Sequence, residues 1–135
     1  MVQTVGEIAP ATLLSLCVVE DDADERLSLA TLFGGLGVTV RTYDSAEDLL
    51  ASLDQITVSM LVSELSLPGI SGIELLRRLR ERGVRPPAIL LGEDSDIPTA
   101  VDAIRAGAVD FIEKPFIDRI LLRRVRAALE SAQDD

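Results

Sequence analysis

Short apolar runs alternate along the chain with segments in which apolar residues recur at helical spacing. The run from Leu13 to Val19 is continuous enough to predict a strand that is buried on both faces. The next segment, Arg26 to Phe33, has helical spacing and ends at Gly34 and Gly35. This alternation repeats along the rest of the chain. Strands are predicted at residues 13–19, 38–43, 58–62, 88–91 and 109–112, and helices at 26–33, 45–53, 71–83, 96–105 and 118–131.

Five strands that alternate with five helices predict parallel strands joined by crossover helices. The expected fold is therefore a three-layer α/β sandwich. Residues 1–12 show no clear periodicity and are interpreted as an N-terminal arm, residues 13–131 as one domain and residues 132–135 as a C-terminal tail. In sheets of this kind ligands bind beyond the carboxyl ends of the strands, so the residues that follow each strand are the candidates for function.

Carboxylates and one ammonium follow the predicted strands. Glu20 and Asp21 come after the first strand, Glu64 ends the third, and Lys114 follows the fifth. Lys114 is the single lysine of the chain, against twelve arginines. Clustered carboxylates repel one another unless a cation lies between them, and ligand sets of oxygen atoms alone favour Mg²⁺. Each acid taken singly is as well explained as a helix cap or a solvated loop charge, which is the interpretation given to Asp22, Asp24 and Glu93.

Composition excludes several classes of function. The net charge of −10 and the pI of about 4.4 disfavour direct binding to nucleic acid, because the chain repels the phosphate backbone. The chain has no histidine, which excludes a Ser-His-Asp triad and histidine-ligated zinc. Its single cysteine, Cys17, lies in an apolar run and is interpreted as a buried hydrophobic residue. No apolar stretch is long enough to span a membrane and no secretory leader is evident, so a cytoplasmic location is expected.

Three stretches resemble the receiver domains of two-component response regulators, most of all those of nitrogen-fixation-type transcriptional regulators. They are residues 18–22, VVEDD, residues 64–72, ELSLPGISG, and residues 106–116, AGAVDFIEKPF. The resemblance covers about residues 13–130. It implies a flavodoxin-like, CheY-like fold with a five-stranded parallel sheet of order 2-1-3-4-5. It also implies phosphorelay signalling without enzyme activity of its own.

The resemblance assigns roles to individual residues. Glu64 stands where the family has the aspartate that accepts a phosphoryl group from a histidine kinase. Mg²⁺ would be held by Glu20, Asp21 and the backbone carbonyl of Ser66. Four further positions match the switch and signalling residues of the family, and the bond to the last of them is usually cis. These are Gly92, Phe111, Lys114 and Pro115.

Two departures from the family pattern bear on function. Glu64 is one methylene longer than the aspartate of the family, and Gly92 replaces the usual Thr or Ser and lacks its hydroxyl. The chain is therefore predicted to be an atypical pseudo-receiver that signals by protein–protein contact. Glu64 would either partly imitate the phosphorylated state or pair with Lys114 and lock the domain in one shape. The alternatives are a Mg²⁺-dependent phosphoacceptor that uses Glu64 or Asp21, and the regulatory half of a transcription factor.

The expected partners are a histidine kinase or a downstream effector. By the same resemblance, the face formed by the fourth helix, fifth strand and fifth helix is a candidate for homodimerisation. Charged residues on and before the last helix are candidates for ion pairs between subunits, although a solvated helix face explains them equally well. They are Asp102, Asp110, Arg119, Arg123, Arg124 and Arg126.

Overall fold

The computed structural model describes residues 14–93 and 97–134, and within them five strands alternate with five helices. The strands are β1 Ser15–Val19, β2 Thr39–Tyr43, β3 Met60–Glu64, β4 Ala88–Gly92 and β5 Asp110–Glu113. The helices are α1 Ala23–Phe33, α2 Ala46–Ala51, α3 Gly72–Glu81, α4 Ile97–Arg105 and α5 Asp118–Asp134. The predicted arm at residues 1–12 and Asp96, the first residue of the predicted fourth helix, lie outside the described residues.

All strand pairs of the sheet are parallel, and their order is β2-β1-β3-β4-β5. The predicted three-layer fold and strand order are confirmed. Parallel strands need crossover connections, and α1 to α4 supply them between successive strands, while α5 follows β5. Because all strands point the same way, their carboxyl ends meet at a single edge of the sheet.

Alternating strand residues divide the core into two clusters, one on each face of the sheet. Cys17, Leu61 and Leu90 point toward the face covered by α2, α3 and α4. Their chain neighbours Val62 and Leu91 point toward the face covered by α1 and α5. This is the two-residue period of a pleated strand, applied to a sheet that is covered on both sides.

Side-chain caps begin the first three helices. The Asp22 carboxylate accepts a hydrogen bond of 2.9 Å from the backbone N–H of Glu25. The hydroxyls of Ser45 and Ser71 accept the same type of bond, each at 3.1 Å, in α2 and α3. These caps satisfy backbone donors in the first helical turn that have no partner within the helix.

The structure shifts some predicted boundaries. β3 lies two residues later than predicted, because its pairing with β4 includes the polar residues Ser63 and Glu64. The last helix continues to Asp134 and does not end at Ser131, since no glycine or proline stops it there. Cys17 is fully buried as predicted, and burial raises its thiol pKa to about 11. None of the helices in the described part of the chain is both long and apolar enough to cross a membrane.

Candidate functional site

The carboxyl edge of the sheet brings together residues from four strand ends. Glu20 directly follows β1 and Glu64 is the last residue of β3. Gly92 ends β4 beside Glu113, and Lys114 comes next in the chain. The backbone N–H of Lys114 donates to the carbonyl of Gly92 at 2.7 Å, which continues the ladder past the end of β5.

The ammonium of Lys114 is surrounded by three carboxylates. Its Nζ lies 3.2 Å from Oε1 of Glu20 and 2.7 Å from Oε1 of Glu25, and it forms a third ion pair with Oε2 of Glu64. The Lys114 side chain is only 13% exposed. Although burial alone would lower the pKa of Lys114, its bonds to Glu25 and Glu64 raise that pKa above the ordinary value. The lysine is therefore a permanent cation at the centre of the cluster.

Glu20 is a nearly fully buried carboxylate, 2% exposed, and both of its oxygens are engaged. Oε1 meets Lys114, and Oε2 accepts a bond of 3.2 Å from the backbone N–H of Asp22. Burial raises the pKa of Glu20 to about 7, and the nearby charge of Glu64 adds to this effect. The Asp22 N–H and Lys114 act in the opposite direction and do not compensate for the burial.

Glu64 is buried as well, with 7% of the residue exposed. Burial raises its carboxyl pKa, while the bond to Lys114 opposes the rise. Apart from that ion pair, its Oε2 receives no hydrogen bond from the described residues. The backbone of Glu64 lies against Gly72, the first residue of α3, so the strand end that carries Glu64 is packed directly under a helix.

Residues 16–126 match the response regulator receiver domain, and the buried acid–lysine cluster lies within this range. The chain belongs to this family. It is 40% identical over 113 residues to the transcriptional regulatory protein FixJ of Rhizobium meliloti (strain 1021), a match that covers 84% of this chain and 55% of that protein. It is 39% identical over 125 residues to Nodulation protein W of Bradyrhizobium diazoefficiens (strain JCM 10833 / BCRC 13528 / IAM 13628 / NBRC 14792 / USDA 110), which covers 93% of this chain and 55% of that protein.

Solved structures give the same result. The crystal structure of FixJ-N superposes with a TM-score of 0.79 at 39% identity, covering 87% of this chain and 94% of that chain. The receiver domain described here spans about half the length of the curated relatives that it matches. Receiver domains are signalling modules of two-component systems, in which they interact with histidine kinases and effector domains.

The receiver domain brings together three of the four residues that its sequence places at the site. Glu20, Glu64 and Lys114 are in contact, but Asp21 has an exposed side chain and is not a partner of Lys114. Glu25 takes its place, and sequence reasoning missed it. The available signal was its position three residues after the cap Asp22, which puts it in the first turn of α1, at the same edge of the sheet as the strand ends.

The residues predicted to bind Mg²⁺ do not form a ligand set in this arrangement. Receiver domains typically bind this ion for phosphorylation. Here both oxygens of Glu20 are already bonded, and the side chain of Asp21 is exposed. Within residues 14–93 and 97–134, no three Asp, Glu, His or Cys side chains are grouped so that they could hold a metal. Mg²⁺ binding by this chain therefore stays a prediction.

The candidate switch residues lie beside the cluster. Gly92 is buried at the end of β4 and offers only backbone groups. Phe111 in β5 is half-buried and packs on the face of the sheet covered by α2, α3 and α4. The bond between Lys114 and Pro115 is cis, as the family resemblance implied. Arg124 forms an ion pair with Asp110 of the same chain, and the predicted contact between subunits stays a prediction.

Proposed function

We propose that this chain is a pseudo-receiver, a receiver domain that signals by protein–protein contact without phosphorylation of Glu64. The observation that supports it most is the ion pair between Glu64 and Lys114 inside a buried pocket. The residue at the acceptor position is thereby already bonded to the cation that, by family resemblance, would meet a transferred phosphoryl group. The domain is a signalling module in this proposal and not an enzyme.

The length and environment of Glu64 disfavour phosphorylation. An acyl phosphate on glutamate is chemically feasible. However, a pocket shaped for aspartate places the longer carboxylate about 1 Å out of line, and misplacement of that size costs roughly 10²-fold in rate. Glu64 is also ion-paired with Lys114, so its carboxylate would have to leave that pair before it could attack a phosphodonor. Both effects act against attack on a phosphodonor.

Gly92 removes the next step of the usual switch. With only backbone groups, it cannot donate a side-chain hydrogen bond to a phosphoryl oxygen. Residue 92 therefore has no hydroxyl whose movement could be coupled to Phe111 when the state of the pocket changes. The pocket thus differs from the family pattern both at the acceptor, Glu64, and at Gly92, where the family has a Thr or Ser. These two differences support a signalling mode that does not depend on phosphorylation.

Two states of the pseudo-receiver remain open. A carboxylate has one negative charge and two oxygens, whereas a phosphoryl group has a charge of about −1.5 to −2 and three oxygens. Glu64 would thus imitate phosphorylation in part, or else lock the domain through Lys114. In either case we propose a cytoplasmic protein that contacts a histidine kinase, an effector or a second copy, and not nucleic acid. The exposed apolar residues Val101 and Ile104 on α4, with Val109 before β5, support the proposed contact face.

The test is intact-mass measurement after incubation with acetyl phosphate and Mg²⁺. The wild-type chain should keep its mass, and Glu64→Asp, the matched control, should gain one phosphoryl group if the pocket is otherwise competent. A phosphoryl group gained by the wild-type chain contradicts the proposal and favours the Mg²⁺-dependent phosphoacceptor. Glu64→Gln then locates the acceptor, because a group that persists in this variant is on another acid such as Asp21.

A second candidate function is the regulatory half of a transcription factor. It is favoured by the identity to the transcriptional regulatory protein FixJ, of which this chain matches about half the length. A DNA-binding domain encoded in the same reading frame would support this function. This function is compatible with the pseudo-receiver, because a pseudo-receiver could regulate a DNA-binding domain through its contact face.

A further inference from the structure

Glu25 is a partner of Lys114 that lies outside the strand ends. It is in the first turn of α1, 89 residues away from Lys114 along the chain, and its Oε1 lies 2.7 Å from Nζ. The Glu25 side chain is 51% exposed, whereas those of Glu20 and Glu64 are buried. It therefore covers the ammonium from the side that faces solvent.

Local capping explains why the Glu25 side chain is available. Asp22 caps α1, and a glutamate three residues after a cap ordinarily reaches back to the N–H of the cap residue. Here the Asp22 N–H is bonded instead to Oε2 of Glu20, at 3.2 Å. The usual partner of the Glu25 carboxylate is thus already occupied, and the carboxylate turns to Lys114.

This exchange of partners uses the carboxylates that a metal ion would need. Oε1 of Glu20, Oε1 of Glu25 and Oε2 of Glu64 all point at Nζ of Lys114. A divalent cation at the pocket would have to draw Glu20 and Glu64 away from the ammonium and would also be repelled by it. The more tightly the three carboxylates bind Lys114, the more weakly the pocket binds a metal ion.

We propose that Glu25 is a positioning residue that holds Lys114 inside the acid pocket and thereby weakens the binding of divalent cations there. The pocket is then centred on a built-in ammonium and not on Mg²⁺. The inference deepens the proposed pseudo-receiver function and rests on it, since a pocket that holds its own cation needs neither metal nor phosphoryl group to keep its shape.

Glu25→Gln separates this role from simple electrostatics. Removing a negative charge near a cation site ordinarily weakens the binding of a cation. If Glu25 holds the ammonium in place, its removal has the opposite effect, because Lys114 then competes less well for Glu20 and Glu64. Asp24→Asn is the matched control, since it removes one charge from the same exposed turn of α1 at a residue that forms no ion pair with Lys114.

The measurement uses the single lysine of the chain as its probe. Protein labelled with lysine carrying ¹⁵N at Nζ gives one ammonium signal, which is followed by NMR while MgCl₂ is added. Because Mg²⁺ on remote surface acids does not move this signal, the apparent Kd refers to the pocket. We expect Glu25→Gln to bind Mg²⁺ about two- to fivefold more tightly than the wild-type chain, the range that one partly exposed ion pair supports. Asp24→Asn should bind equally well or more weakly.

Equal or weaker binding by Glu25→Gln overturns the inference, and so does the absence of binding in both proteins. The phosphoryl-transfer experiment fails independently of this one. A wild-type chain that gains a phosphoryl group contradicts the pseudo-receiver, whatever the ratio of the two Kd values. A wild-type chain that stays unmodified while Glu25→Gln shows no tighter binding contradicts only the role of Glu25.

Discussion

Gly72 lies in direct contact with the backbone of Glu64. A Cβ added to Gly72 would come within 2.5 Å of the Glu64 carbonyl oxygen, and the Gly72 N–H donates to the carbonyl of Leu65 at 2.9 Å. The first turn of α3 therefore lies on the end of β3 with no room for a side chain between them. This contact fixes the height at which the Glu64 side chain enters the pocket.

Gly72→Ala should destabilise the fold, because its methyl group meets backbone that cannot move independently of β3. We expect a loss of about 1–3 kcal/mol in the free energy of unfolding, measured by urea denaturation. Gly35→Ala is the control, since a Cβ there would meet no atom within 4 Å. Its effect should stay within about 0.5 kcal/mol. Equal midpoints for the two variants would contradict the packing argument.

Stability should rise as the pH falls from about 7 toward 5, through Glu20. Burial raises the pKa of Glu20 to about 7 from an ordinary value of 4.5. Between pH 4.5 and pH 7, Glu20 therefore keeps a proton in the folded chain that it has released in the unfolded chain. The unfolded state is then favoured increasingly as the pH rises through this window, and the dependence ends above about 7. Urea midpoints at pH 5 and pH 7.5 measure the difference, on the order of 2 kcal/mol. Glu20→Gln should lack this contribution, and an unchanged pH dependence in that variant would disprove it.

Lys114→Met should be strongly destabilising at neutral pH. It leaves Glu20 and Glu64 buried and facing each other without a cation, which typically costs about 3–5 kcal/mol. The loss should be smaller at pH 5, below the pKa of about 7 of Glu20, where this carboxyl takes up a proton. Arg124→Met breaks the more exposed pair with Asp110 and should cost no more than about 1 kcal/mol. Both losses are measured by urea unfolding. Similar losses of unfolding free energy in the two variants would contradict the prediction.

Glu47 in α2 should control the order of the loop between β3 and α3. Its Oε2 accepts a hydrogen bond of 3.0 Å from the backbone N–H of Ile70. Glu47→Ala removes this acceptor, so hydrogen exchange at the Ile70 amide should become faster, by an amount equivalent to about 0.5–1.5 kcal/mol. Glu47→Gln keeps an acceptor oxygen and should exchange more slowly than Glu47→Ala. Identical exchange rates in all three proteins would show that this bond does not hold the loop.

Cys17 should be protected from thiol reagents in the folded chain. It is fully buried in β1 and its pKa is raised to about 11 by burial, so both access and thiolate formation are suppressed. Reaction with a disulfide reagent at pH 8 should therefore follow the rate of unfolding, and added urea should accelerate it. Rapid labelling without denaturant would contradict the observed burial.

The sequence predicts the layers of this fold well because its signals are local. Ser45 and Ser71 stand where two helices are predicted to begin and cap those helices, and the buried strands are evident as apolar runs. Boundaries are less predictable where pairing and hydrophobicity disagree. Ser63 and Glu64 belong to β3 because β4 pairs with them, and no local pattern of the sequence contains that pairing.

The candidate site was predicted in part, for a similar reason. Strand order places Glu20, Glu64 and Lys114 at one edge, so three of its members follow from topology. Glu25 and Asp21 exchange roles because side-chain direction decides the contact. Glu25 turns inward once Glu20 has taken the Asp22 N–H, whereas Asp21 points to solvent. Such a competition for one backbone donor depends on tertiary geometry that spacing alone does not fix.

The two apolar clusters make the sheet a partition between two compartments. In the described part of the chain they share no buried residue, so a shift of α5 does not press directly on α3 or α4. The acid–lysine cluster bridges the partition at its rim, because Glu25 belongs to the α1 side and Glu64 lies under α3. A partner that displaces α1 would thus move Glu25 away from the same ammonium that Glu64 contacts on the far side of the sheet.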